Sequence, residues 1–132
     1  MKTFKMNKLV RDKVVDVMKG QNKISETRVL DDREFVAELK VKLMEELDEL
    51  NEVDFGDKDH FKNELADIQL LIDYLLKSNN ISKEELDEFQ KEKLAKVGGF
   101  DKRIFVGKVD LQDDDEWVEY YRKKGFEEVK ER

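Results

Sequence analysis

Apolar residues return every three or four positions through most of the chain, the period of helices with one buried face rather than the alternation of a strand. Residues 8–19 (KLVRDKVVDVMK) place Leu9 or Val10, Val14, Val17 and Met18 on one face, with Gly20 as a stop, although the branched valines weaken the helix. Residues 21–30 read as a loop carrying a short extended piece, Thr27–Leu30. Asp31 and Glu34 then form an Asp-x-x-Glu cap, opening a long helix to about Val53 with the stripe Val36, Leu39, Leu43, Leu47 and Leu50. The DFGDKD segment (54–59) is a turn with Gly56 near its middle. A second long helix runs from about Asp59 to Ser78 on the stripe Phe61, Leu65, Ile68, Ile72 and Leu75, and Asn79-Asn80 breaks it. Ser82-x-x-Glu85 is a capping box for a third helix that ends at Gly98-Gly99. KRIFVGKV (102–109) alternates weakly, as a short strand or an extended arm would, and Asp113–Glu116 opens a last helix through Lys124, closed by Gly125.

The expected fold is therefore all-α: a helical bundle on an antiparallel helix hairpin, with a short extended segment and a C-terminal appendage. Residues 1–107 form the main domain and 108–132 the appendage.

Composition narrows the chemistry. The 132 residues are 39% hydrophobic and 45% charged, well above the roughly 25% charge of an average globular chain, which fits long helices with solvated faces or assembly between subunits. With no cysteine, disulfides, thiolate metal sites and thiol nucleophiles are excluded. A single histidine, His60, excludes multi-histidine zinc sites and argues against a histidine triad; it reads as an exposed residue of the first turn with no role. A net charge of −7 argues against a nucleic-acid partner. No apolar run approaches the ~18 residues of a membrane span and no signal peptide opens the chain, so the expectation is a cytoplasmic protein without a membrane partner.

The acids carry the sharpest pattern. Glu46 and Glu49 lie on the first long helix, Glu64 and Asp67 on the second. At about 100° per residue, Glu46 and Glu49 sit about −80° and −140° from Val36, and Glu64 and Asp67 about −60° and −120° from Phe61. In a hairpin packed stripe to stripe, offsets of one sign bring both pairs to one side. Positions 49 and 64, and positions 46 and 67, are each symmetric about residues 56–57, the centre of the turn. Glu49 then faces Glu64, and Glu46 faces Asp67. Four such carboxylates repel one another unless a cation compensates. An all-oxygen set suits Mg²⁺, with Mn²⁺ as an alternative. A di-iron bundle needs two Glu-x-x-His motifs, and one histidine cannot supply them. The competing reading is a solvated charged face, common in a chain this rich in acids; the agreement of offset and register favours the site.

Glu46-x-x-Glu49, a 14-residue gap and Glu64-x-x-Asp67 resemble the signature of the MazG-like all-α nucleoside triphosphate pyrophosphohydrolases. NKLVRDK (Asn7–Lys13) is similar to the N-terminal motif of a small single-domain branch of nucleotide house-cleaning enzymes related to phosphoribosyl-ATP pyrophosphohydrolases. TRVLDD (27–32) and GGFDKRIFV (98–106) also sit where that branch has similar stretches. The resemblance covers about residues 5–107; it departs at Val14-Val15, where the branch has Ile-Pro, and has no counterpart for the tail after about Lys108. It implies Mg²⁺-dependent hydrolysis of a nucleoside triphosphate to monophosphate and pyrophosphate, a helical bundle assembling as a homodimer or homotetramer, and a metal held by Glu46, Glu49, Glu64 and Asp67.

The chemistry needs a base for the attacking water and cations for the phosphates. Glu45 and Glu46 are the candidate bases. Lys8, Arg11 and Asp12 share one face of the expected first helix, where Arg11 grips phosphate bidentately, Lys8 acts as a point charge and Asp12 orients Arg11 or accepts from sugar or base; the plainer reading is a surface ion pair. Asn7 is a base or sugar contact, and Lys93, Lys102 and Arg103 are further phosphate contacts. Gly98-Gly99 allows close approach of a ligand or is a plain helix cap. Phe100 stacks on a base or packs in the core; Trp117, Tyr120 and Tyr121 read as packing, and would suit a subunit interface. The alternative function is a non-catalytic helical assembly or nucleotide-binding module.

Overall fold

A computed structural model describes residues 1–130 and contains five helices and no strand among them. They are α1 (Val14–Gly20), α2 (Asp32–Asn51), α3 (Lys58–Ser78), α4 (Lys83–Val97) and α5 (Trp117–Lys123). The fold is all-α. The chain forms two compact units, Met1–Glu92 and Lys93–Arg132.

In the first unit the principal packing is that of α2 against α3, joined by the short turn around Gly56. Each helix begins where a carboxylate meets an unpaired backbone amide. Asp31 Oδ1 accepts from Glu34 N at 2.8 Å, and Asp57 Oδ1 accepts from His60 N at 3.2 Å. The Asp31 cap is one-sided, because the Glu34 carboxylate turns to Arg28 Nη2 at 2.7 Å instead of reaching back. That guanidinium holds the Glu34 carboxyl below its usual range and ties the preceding loop to the start of α2. Gly56 has φ +92°, a left-handed geometry that a side chain would strain, and it lets the chain reverse between the helices. α3 ends as Asn79 Nδ2 donates to Leu75 O at 2.7 Å and Asn80 turns left-handed at φ +54°. Ser82 caps α4 as expected, with Glu85 N donating to Ser82 Oγ at 3.1 Å, while the Glu85 carboxylate accepts from the Ser82 hydroxyl at 3.3 Å.

On α3 the packed face is turned from the expected stripe, while on α2 it keeps to a residue of that stripe. Leu39 (1% exposed) and Leu71 (7%) are the buried apolar side chains among the described residues, and Glu64 is buried beside them at 4%. Leu47 and Leu65, both assigned to the stripe, are 46% and 51% exposed. At about 100° per residue, Leu71 lies about −80° from Phe61, so the face of α3 has rotated toward the acids, whereas the buried Leu39 belongs to the expected α2 stripe. Glu64 is therefore inside the helix–helix contact rather than alongside it. Near the open end, Phe35 and Tyr74 close the hairpin edge to face, with ring centroids 6.2 Å apart.

Three local expectations are corrected. The first helix starts at Val14, not at residue 8: Lys13 offers no capping acceptor, and residues 8–11 are held by ion pairs to the hairpin instead. It runs through Gly20, and Asn22 at φ +59° makes the stop. Residues 27–30 lie in a loop, as expected, and of the two readings of 102–109 the strand falls, since no strand is present among the described residues. Phe100 does not pack; it is 97% exposed.

Within the second unit, Gly98 closes α4 at φ +80° with its amide donating to Leu94 O at 3.0 Å, the geometry of a helix cap. Tyr121 is the centre of a small aromatic cluster, 6.1 Å from Trp117, 6.0 Å from Tyr120 and 5.2 Å from Phe126 between ring centroids. The packing role expected of Trp117, Tyr120 and Tyr121 is local.

Candidate metal centre

Glu46 and Glu49 stand one turn apart on α2, and Glu64 reaches them from α3. Each offers a carboxylate oxygen within 4.8 Å of the other two. Oxygens bound to one divalent cation lie at most about 4–5 Å apart, at bond lengths of about 2.1–2.6 Å, so these three acids are close enough to be candidate ligands. The three differ in exposure: Glu64 is buried, Glu46 is half-buried and Glu49 faces solvent.

The buried oxygens carry the electrostatic strain. Glu46 Oε2 and Glu64 Oε2 are both out of solvent and accept no hydrogen bond from any donor. A buried carboxylate oxygen without a partner is costly, and two side by side more so. The Glu46 carboxyl responds by rising from 4.5 to about 7, first because burial disfavours its charge, then because a proton on it is shared with Glu64, with Glu49 and Asp67 adding repulsion.

The other oxygen of Glu64 has company. Oε1 lies 3.5 Å from Asn63 Nδ2 and 3.6 Å from His60 Nε2, while His60 Nδ1 is 3.7 Å from Asp57. His60 is indeed half exposed in the first turn of α3, but it stands over a buried acid of the cluster, a neighbour that sequence reasoning left out. The signal was available: His60 and Glu64 are four residues apart on one helix.

Asp67 is not among the three converging acids. Its Oδ1 accepts from Arg11 Nη2 at 2.7 Å. Lys8 Nζ likewise reaches Glu45 Oε1 at 3.0 Å. Lys8, Arg11 and Asp12 therefore do not line one helical face, because residues 8–12 precede α1. Two of them instead tie the N-terminal segment to both arms of the hairpin. Asp12 is exposed, and so is Asn7, whose φ of +47° bends the chain just before Lys8. Lys93, Lys102 and Arg103 belong to the second unit, Lys93 within α4 and the other two in the turn region after it. Of the candidate bases, Glu46 lies in the cluster, while Glu45 is engaged by Lys8.

No protein-family model, curated protein or solved structure matches the chain. No described helix is long and apolar enough to cross a membrane.

Proposed function

We propose that the protein is a Mg²⁺-dependent nucleoside triphosphate pyrophosphohydrolase of the MazG-like kind, acting in nucleotide house-cleaning. The observation that carries this reading is the meeting of Glu46, Glu49 and Glu64 from two helices with two buried oxygens that no donor satisfies. A solvated charged face would leave its oxygens in water. The donor set is all oxygen, which suits a hard cation. The motif of acids and the NKLVRDK segment supply the resemblance from which the substrate class follows.

Glu46, Glu49 and Glu64 hold the metal, which supplies charge neutralisation on phosphate oxygens and a water of lowered pKa. Glu64 is fixed by packing on one side and by His60 and Asn63 on its Oε1, so it presents Oε2 in a set direction. Glu46 would bind the metal as its carboxylate, its proton passing to solvent. Lys8 and Arg11 approach the acids from the N-terminal segment and supply cationic donors for phosphate oxygens. In this reading the exposed apolar side chains Val41, Met44 and Leu47 on α2 are covered by a second copy of the chain, as a homodimer or homotetramer requires.

A product assay tests the reading: the full chain with Mg²⁺ and a panel of ordinary and modified nucleoside triphosphates, resolving pyrophosphate from orthophosphate. Monophosphate plus pyrophosphate is expected from at least one substrate, and Glu49→Gln should abolish it with the helical content unchanged. Orthophosphate as the product would refute the reaction class. Absence of turnover together with absence of any Mg²⁺ effect on thermal stability would favour a helical assembly module instead.

A further inference from the structure

The fourth acid is held apart from the other three by a cation of the chain itself. Asp67 stands one turn beyond Glu64 on α3, yet its Oδ1 is taken by Arg11 at 2.7 Å. We propose that Arg11 is a removable counter-ion, neutralising Asp67 in the nucleotide-free protein and passing to a bound polyphosphate, so that Asp67 is released to a divalent cation.

This inference rests on the metal-centre reading and adds to it an order of events. Arg11 sits before α1, in a segment with no regular structure, so moving its side chain breaks no helix. Its side chain is 61% exposed and Asp67 is 30% exposed, so the pair is screened by solvent and weak. The guanidinium bonds phosphate oxygens in the same forked geometry it uses for carboxylates, and a polyphosphate carries more charge than one aspartate. Lys8, bound to Glu45 three residues earlier, keeps the segment beside the hairpin while Arg11 changes partner. The exchange keeps charges paired: Asp67 trades a guanidinium for a divalent cation, and Arg11 trades a carboxylate for a phosphate. The nucleotide-free protein thereby offers three carboxylates to metal, and the polyphosphate complex offers four.

The consequence is a pair of effects with opposite signs. A residue that merely held the segment in place would weaken both ligands when removed. The test uses the full chain, with Mn²⁺ alone as the first probe, followed through the spin-resonance signal of the free ion. Inorganic tripolyphosphate at fixed free Mn²⁺ is the second probe. Arg11→Ala should tighten binding of Mn²⁺ alone by about three- to tenfold, the scale of releasing one exposed ion pair. The same variant should weaken tripolyphosphate binding by about tenfold or more, as loss of a charge-assisted contact does. Arg11→Lys, which keeps the charge on Asp67, should retain wild-type Mn²⁺ affinity yet bind tripolyphosphate less well. In an Asp67→Asn background, Arg11→Ala should leave Mn²⁺ binding unchanged. Unchanged or weaker Mn²⁺ binding in Arg11→Ala, with helical content preserved by circular dichroism, would overturn the inference. If the wild-type chain bound no Mn²⁺ at all, the metal centre itself would fall, and the inference with it.

Discussion

Glu46→Gln should make the metal-free protein more stable and at the same time remove its response to metal. The Glu46 carboxyl titrates at about 7 in the folded chain against 4.5 ordinarily. Between those values the folded state holds a proton that the unfolded state has lost. Stability is therefore fully present below about 4.5 and declines as pH rises toward 7, by at most about 1.4 kcal/mol per pH unit for one proton. The whole displacement corresponds to about 3 kcal/mol, and solvent reaching the half-buried group reduces this to roughly 2. At pH 8 the glutamine variant avoids that cost, and its amide donates to the neighbouring acids. Its melting temperature without metal should exceed the wild type's by roughly 8 °C, at about 4 °C per kcal/mol for a domain of this size. At pH 5 the two should nearly coincide. Saturating Mg²⁺ should reverse the order, since a ligand at 100 times its Kd adds about 2.7 kcal/mol to the protein that binds it. Thermal melts by circular dichroism at pH 5, 6, 7 and 8, with chelator and with Mg²⁺, provide the readout. A wild-type melting temperature level across that range, or a glutamine variant less stable than wild type at pH 8 in chelator, would refute the account of the cluster.

Leu39→Ala should cost about 2–5 kcal/mol, because Leu39 is 1% exposed and centres the helix contact; a denaturant midpoint close to wild type would show that α2 and α3 do not pack on this face. Asp31→Ala should cost about 1 kcal/mol through the lost cap on Glu34 N, and Asp31→Asn should recover most of it in the same urea titration. Sedimentation should return a dimer or tetramer mass, and Met44→Glu, on a side chain 67% exposed, should shift the mass toward monomer without loss of helicity. A wild-type chain sedimenting as monomer at micromolar concentration would leave the apolar face of α2 without its proposed cover.

The hairpin was legible in the sequence because it rests on short-range chemistry. Caps at Asp31 and Ser82, the glycine turn at Gly56 and the Asn79-Asn80 break act through nearby backbone. Symmetry about that turn brought Glu46 and Glu49 near Glu64, but it paired Glu46 with Asp67, whereas Glu46 meets Glu64 and Asp67 is taken by Arg11. The face of α3 was misplaced for an instructive reason. A stripe drawn through apolar residues excludes Glu64 by definition, so the pattern ran through Leu65, which the structure leaves 51% exposed. The buried acid marks where the rule that charges stay outside gives way. The start of α1 was missed because nothing local announces that residues 8–12 bind α2 and α3 through side chains. The partnership of Arg11 with Asp67 spans 56 positions, and no spacing rule reaches that far.

These misplacements point to one physical arrangement. An α2–α3 contact built for stability alone would set a leucine where Glu64 lies, since that position faces the same contact as Leu71. The chain instead places a carboxylate there, brings Glu46 against it and leaves one oxygen of each without a donor. Buried charges of one sign do not stabilise helices, so this arrangement weakens the metal-free fold wherever the proton on Glu46 is lost. What offsets it must be positive. Nearby Arg11 neutralises Asp67 from the outside, but no basic side chain reaches Glu46 Oε2 or Glu64 Oε2. Under the proposed function that partner is a small divalent cation, and the stability the hairpin gives up at those two positions would be recovered as affinity for it.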